Sequence, residues 1–301
     1  MRNAKAALAA TALAALAGCS PDFLPPSYLN GLRVLAVTAA PLEVAPASPV
    51  LALTPVVYSA VTSASGLSEA WSFCPASAGS VSGYACAVPE CQLGPPAYGC
   101  TFEGCALSAA PAAGGTIAVT FGPGCFSPAL PSPLQTFFRF CVSETPSGSP
   151  CTEPPARNAV LQVPVWPDGF PPGHVVNLPP IIARVDIAGG EVYPTPPGAP
   201  PSLPNGGTVP VRVMIDPSSV QTYVDADGVT RVETMTVDYY ATAGRFASDL
   251  ATGVDTTVNL QGTSLSPQDL ADGLDVYVVA IDLRGGQAVA GPFHVTVGPP
   301  P

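Results

Sequence analysis

The chain has 301 residues, among them 39 prolines and 29 glycines, and a formal net charge of −11 from 10 Lys and Arg against 21 Asp and Glu. That length admits two domains of ordinary size, each with its own core. Binding to a phosphate backbone or an anionic bilayer surface needs clustered cations, but no lysine follows Lys5 and the arginines after Arg2 are scattered, so nucleic acid and polybasic membrane contact are excluded.

Arg2 and Lys5 precede an apolar run, Ala6–Ala17, broken only by Thr11. It is too short to span a bilayer and suits the core of an export signal. Leu16-Ala17-Gly18-Cys19 then resembles the lipobox of bacterial lipoproteins. The resemblance implies removal of residues 1–18, a diacylglycerol thioether on the Cys19 thiol and an acyl chain on the new amine. Each buried methylene contributes roughly 0.8 kcal/mol, so two or three chains hold firmly where one would exchange. Ser20, in place of Asp, implies sorting to the outer membrane. An ordinary secretory signal followed by an incidental cysteine is the plainer alternative. Residues 19–30, with Pro21, Pro25 and Pro26, read as an extended tether.

Residues 31–165 read as a first β-sandwich domain. Strands are expected at Arg33–Ala39, Val50–Val61, Thr116–Phe121, Phe137–Ser143 and Asn158–Val165. Between the second and third lies a loop-rich insertion, Cys74 to Gly115. Apart from Cys19, all cysteines fall in this domain: Cys74, Cys86, Cys91, Cys100, Cys105, Cys125, Cys141 and Cys151. An even number in an exported chain reads as a disulfide framework. The local pairs Cys86/Cys91 and Cys100/Cys105, and Cys74 with a cysteine on the Phe137–Val142 strand, are the leading connections. Zinc is the alternative for the two local pairs, disfavoured by a chain with only two histidines. Trp71, near Cys74, reads as core packing before it reads as a sugar platform. Gly79-Ser80-Val81-Ser82-Gly83 has the outline of a nucleophile elbow, but Val81 stands where the nucleophile belongs.

Residues 166–180 read as a proline-stiffened linker that carries Trp166 and His174. A second sandwich domain follows over 181–298. Val211, Val213 and Ile215 alternate with polar or flexible neighbours, as do Met235, Val237 and Tyr239. Asp275–Leu283 is apolar on both faces and is expected to be central. Tyr239 and Tyr240 are adjacent, so one should face the core and the other solvent. Ser266-Pro267 through Gly273 has the cap, first residue and stop of a short helix. Asp225-Ala226-Asp227-Gly228 puts two carboxylates on one turn. Calcium is the ion Asp225 and Asp227 would take, although Tyr223 and Thr234 stand where an EF-hand loop has acids, and Asp-Gly is also a hairpin turn. His294 is expected on the outer face of the last strand. Neither histidine has a nucleophile beside it in sequence, so no catalytic residues are assigned and the chain is not expected to be an enzyme.

Two further resemblances follow from these residues. Arg33-Val-Leu-Ala-Val37 with Pro41-Leu-Glu-Val-Ala-Pro46 resembles the first domain of lipoproteins abundant in myxobacteria and related soil bacteria. Tyr240-Ala-Thr-Ala-Gly-Arg-Phe246 and Val279-Ala-Ile-Asp-Leu-Arg-Gly-Gly286 resemble bacterial Ig-like or PKD-like repeats. They imply an all-β protein of two Ig-like β-sandwich domains in tandem. The leading reading of role is structural or adhesive at the cell surface, with a protein or glycan partner, and no cofactor is expected beyond the lipid on Cys19 and the calcium considered for Asp225 and Asp227. A carbohydrate-binding module using Trp71, Trp166 or the outward tyrosine is the rival reading.

Overall fold

The computed structural model describes residues 26–61, 66–75, 86–87, 89–94, 97–112, 115–145, 157–225 and 227–299. The expected signal segment, the expected lipobox with Cys19, Gly79–Gly83 and Cys151 lie outside the described residues.

The N-terminal part is a single nine-stranded sheet. In chain order its strands are β1 Arg33–Ala40, β2 Val50–Tyr58, β3 Ser68–Cys74, β4 Cys91–Gly94, β5 Ala97–Phe102, β6 Cys105–Pro111, β7 Ile117–Phe121, β8 Leu134–Ser143 and β9 Arg157–Val165. Their order across the sheet is β1-β2-β7-β6-β5-β4-β3-β8-β9. The sheet curls until its two edges meet. Val44, just past β1, donates to Pro164 O at 2.9 Å, and Trp166 N–H returns to Val44 O at 2.8 Å. The enclosed core includes Leu51, Leu53, Phe73, Val119, Phe138, Phe140, Val142 and Val163, each at most 1 % exposed. Trp71 joins this core at 4 % exposure, its ring 4.8 Å from that of Phe140.

The loop-rich insertion expected between Cys74 and Gly115 is therefore corrected: β4, β5 and β6 carry the sheet across it. These strands are short and built largely from Ala, Ser, Gly and Cys, so they lack the β-branched signature. Pairing with neighbours, more than intrinsic preference, holds them extended. β3 was also not expected.

Two five-stranded sheets, a two-stranded hairpin and a short helix follow, formed by β10 Ile182–Ile187, β11 Gly190–Tyr193, β12 Ser202–Pro204, β13 Thr208–Ile215, β14 Thr222–Val224, β15 Thr230–Val232, β16 Met235–Ala241, β17 Arg245–Phe246, β18 Leu250–Thr252, β19 Asp255–Gln261, the helix α1 Pro267–Asp272, β20 Leu274–Asp282 and β21 Gln287–Gly298. One sheet runs β11-β10-β13-β19-β17 and the other β12-β21-β20-β16-β18, while β14 and β15 form a separate hairpin. Alternating side chains of both sheets close one core, with Val185, Val211, Val213 and Leu260 meeting Val237, Tyr239, Val276 and Val278. This is a β-sandwich, and the protein is all-β apart from short helical turns. Tyr239 is fully buried, and its hydroxyl lies 2.7 Å from Thr256 Oγ1. Ser266 caps α1 by accepting from Asp269 N–H, and the Asp269 carboxylate accepts from Ser266 N–H in return.

β20 is the middle strand of its sheet, and its second apolar face is covered by the N-terminal sheet. Leu29, Leu35, Ala36 and Val279 form a third buried cluster, flanked by Tyr58, Tyr240, Tyr277 and Ile281. The expectation that Tyr240 faces solvent is corrected, because it lines this junction. Burial pushes its phenol up to about 12, with Asp238 adding to the effect. The end of the tether is corrected as well. Ser27 and Leu29 are buried, and residues 27–29 run beside β16, with Leu29 N–H donating to Ala241 O at 2.8 Å and Ala241 N–H to Ser27 O at 2.9 Å.

Candidate interdomain binding cleft

The segment expected to be a spacer, 166–180, builds a polar cluster where the two parts of the chain meet. Its centre is Glu43, in the turn after β1, whose side chain is only 5 % exposed. Glu43 Oε2 accepts from Trp166 Nε1 at 2.9 Å and lies 2.6 Å from His174 Nε2. Oε1 accepts from Asn177 N–H at 2.8 Å and from Arg284 Nη2 at 2.9 Å. A carboxylate with this little water is tolerable only because these donors replace its hydration.

Arg284 stands on the turn between β20 and β21. Asp282 Oδ1 shapes that turn by accepting from the N–H groups of Arg284 and Gly286, both at 2.8 Å. A Cβ at Gly286 would come within 2.1 Å of Asp282 Oδ2 and 2.8 Å of Leu42 Cδ1, so any side chain there would have to displace them. The guanidinium also donates to Val175 O at 2.6 Å and Glu233 Oε1 at 3.2 Å, and it lies 4.7 Å from the Tyr223 ring centroid. Glu233 accepts from Gln221 N–H at 2.9 Å. Burial holds its carboxyl above the usual range, with Gln221 N–H and Arg284 pulling the other way. Asp282 is raised too, burial again being the largest cause. The amide of Asn177 sits beside Asp282 and favours its charged form, yet outside hydrogen-bond geometry: both Asn177 amide atoms and Asp282 Oδ2 are buried without a hydrogen-bond partner.

Above this network opens a cleft of about 670 Å³, lined among others by Gln135, Trp166, His174, Tyr223, Asp225 and Arg284. One wall carries Trp166 and His174, with ring centroids 4.5 Å apart, and Phe170 stacks on the His174 ring at 5.1 Å. The charged groups of the lining are engaged with protein partners, and no Ser, Thr, Cys or Lys stands among the described lining residues. The arrangement offers shape, aromatic surface and a Gln135 amide, the ingredients of a recognition site.

The other residues singled out from the sequence lie apart from the cleft or only on its rim. Asp225 reaches the rim, but its oxygens serve their own hairpin. Oδ1 accepts from Asp227 N–H at 3.0 Å and Val229 N–H at 2.9 Å, and Oδ2 from Arg231 Nε at 2.8 Å. Those donors hold its carboxyl below the usual range, Arg231 contributing most. His294 is exposed on β21, 3.2 Å from Asp275. Among the described cysteines, Cys74–Cys86 and Cys105–Cys125 are bridged and Cys141 is also disulfide-bonded. The expected local pairs Cys86/Cys91 and Cys100/Cys105, and the bond from Cys74 to β8, are thus corrected. Cys91 and Cys100 are thiols in this structure, not members of disulfides as expected. Spacing in sequence misleads here because pleated neighbours, not chain neighbours, bring sulfurs together. Glu43, Tyr223, Glu233 and Arg284 were not anticipated as a group. The available signal was a lone acid in the apolar run Pro41-Leu-Glu-Val-Ala-Pro46 and one of few arginines beside a Gly-Gly turn.

No family model matches the chain, and no curated protein matches it. Solved structures similar to it include a chimeric titin Z1Z2 carrying a decorin peptide, at 10 % identity and TM-score 0.22, covering 89 % of this chain and 96 % of that one. Extracellular domains 3–5 of Drosophila OTK match at 11 % identity and TM-score 0.21, covering 89 % and 62 %. Dimeric latent PorU from Porphyromonas gingivalis matches at 13 % identity and TM-score 0.22, covering 92 % and 21 %. At such scores these likenesses carry nothing about function. The class is defined by the molecule's own architecture: an all-β, disulfide-containing protein with a sandwich at its C-terminal end.

Proposed function

We propose that this is a non-catalytic, lipid-anchored protein of the bacterial outer membrane, of the myxobacterial lipoprotein kind, that binds a protein partner in the cleft between its two parts. The observation that carries the binding role is the fixed recess. A strand contact at residues 27–29, an apolar sheet junction around Val279 and the Glu43–Arg284 pair all hold its walls in one arrangement. Preorganised walls lower the ordering cost of association. The anchor rests on Leu16–Cys19, and the disulfides fit an oxidising compartment.

The test has two arms. Cys19→Ala should release the exported protein from the membrane fraction. A photo-crosslinking residue at Val224, exposed on the cleft rim, should capture one discrete envelope protein, and Tyr223→Ala should abolish that capture. Membrane retention of Cys19→Ala overturns the anchor; capture unaffected by Tyr223→Ala overturns the cleft. Trp166 and Tyr223 on one recess favour the glycan reading as the alternative, and glycan-array binding lost in Tyr223→Ala would establish it instead.

A further inference from the structure

Cys91 opens β4 and Cys100 lies in β5, the two strands of one hairpin. Their ladder pairs Leu93 with Tyr98 and Gly94 with Ala97, and the same register sets Cys91 opposite Cys100. Both are thiols, both are half-buried, and the two side chains are close enough to influence each other electrostatically. Of the bridged cysteines, Cys74 is 4 % exposed, Cys105 1 % and Cys125 0 %, while Cys86 is half-buried like the two thiols. An external reagent therefore meets Cys91 and Cys100 more readily than Cys74, Cys105 or Cys125.

The position is also mechanically distinctive. β4 is the strand that joins the β1-β2-β7-β6-β5 side of the sheet to the β3-β8-β9 side. Its ladders are short, Ser72 with Gln92 and Phe73 with Cys91 on one side, and the two pairs to β5 on the other. A covalent link between Cys91 and Cys100 would brace the β4–β5 ladder at this seam.

We propose that Cys91 and Cys100 form a thiol–disulfide exchange site, closing across the β4–β5 ladder at the expense of an external disulfide and reopening when thiols prevail. Directly opposed residues in an antiparallel pair hold their Cβ atoms about 4.5–5.5 Å apart, against about 3.5–4.5 Å in a disulfide. Closure asks the strands to approach by about an ångström, which leaves the bond easier to reduce than an unstrained one. One cysteine thiolate attacks a sulfur of the external disulfide, forms a mixed disulfide and expels the first thiolate. The second cysteine thiolate attacks the protein sulfur of that mixed disulfide and expels the other. Two cysteine sulfurs are oxidised, the external disulfide is reduced to two thiols, and these take up the two protons the cysteines lose. Burial, reinforced by Cys91, raises the Cys100 thiol above its ordinary range, which suits Cys100 to the second, resolving step. The chemistry holds whatever partner the cleft takes.

The test equilibrates the intact protein in glutathione buffers of graded oxidation, traps thiols with N-ethylmaleimide and reads mass and peptide map after denaturation. The expected result is a reversible loss of two labels together, with a Cys91–Cys100 crosslinked peptide in the oxidised form. Cys100→Ser should instead stop at a single glutathione adduct on Cys91. Retention of both labels in fully oxidised buffer overturns the proposal. So does independent glutathionylation of the two sites in the wild-type protein, or a bond from either to another cysteine. The wild-type titration decides the matter even if the variant does not fold.

Discussion

Glu43 and Arg284, separated by 241 positions in the chain, form an ion pair at 2.9 Å with side chains 5 % and 13 % exposed. The two residues stand on different parts of the protein, one on the turn that follows β1 and the other on the turn that leads into β21. Removing one partner of such a pair strands a charge in a place water barely reaches, which typically costs about 3–5 kcal/mol. Arg284→Ala should lose stability of that order in urea denaturation. Glu43→Gln combined with Arg284→Met should recover part of the loss, since Glu43 is then no longer an unpaired charge, while Glu233 still lacks its Arg284 partner. A double variant as unstable as Arg284→Ala would mean that the pair is not the source of the cost.

Leu29, 1 % exposed and packed with Leu35, Ala36 and Val279, ties the first described residues to the C-terminal sheet. Leu29→Ala should cost about 2–5 kcal/mol, the range for emptying a buried leucine site. Leu178→Ala, at a position 52 % exposed, is the control and should change stability by less than about 0.5 kcal/mol. Equal effects of the two substitutions in thermal unfolding would argue against the docked arrangement of residues 27–29.

Glu233 sets a pH dependence. Its carboxyl is raised above the ordinary 4.5, chiefly by burial, so the folded state holds that proton more tightly than the unfolded chain. The stability linked to it is complete below the unfolded value and is lost as pH rises through the window up to the folded value. The wild-type protein should therefore lose melting temperature relative to Glu233→Gln as pH is raised from about 4 upward. A difference that grows in the opposite direction would reverse the sign assigned to this group.

The β14–β15 hairpin should ignore calcium. Both Asp225 oxygens accept from Asp227, Val229 and Arg231, leaving little for a cation. Melting temperature is expected to be the same in millimolar Ca²⁺ and in EDTA. Gly228, at φ 78°, is what the turn does require, and Gly228→Ala should destabilise by about 1 kcal/mol or more. A calcium-dependent rise in melting temperature would return Asp225 and Asp227 to consideration as ligands.

The proposed anchor has a chemical consequence. If Cys19 is the acylated first residue, the chain from Cys19 onward contains no primary amine, because Lys5 is the only lysine. Amine-reactive reagents should leave the membrane-extracted protein unlabelled in intact-mass measurement. Stoichiometric labelling would indicate a free N-terminus or a retained signal.

Much of the C-terminal sandwich was legible in the sequence because alternation at period two is a local property. Val211, Val213 and Ile215, or Met235, Val237 and Tyr239, announce a buried face without reference to anything distant. The α1 cap was legible for the same reason: Ser266, Pro267 and Gly273 each act within a turn of the chain. The double-sided apolarity of β20 was legible too, but not what covers its second face. β4 to β6 escaped notice since small residues become strands there only when neighbouring strands pair with them.

By itself the sequence determined which segments alternate, where the apolar N-terminal run falls, how little positive charge is available and how many sulfurs the chain carries. Tertiary structure decided which of those sulfurs face one another, that a proline-rich segment is folded onto Glu43 rather than free, and that Tyr240 is covered. The physical reason is range. Backbone preference and amphipathic period act over a few residues, whereas a buried ion pair, a cross-strand thiol pair and a cleft depend on which distant surfaces pack together.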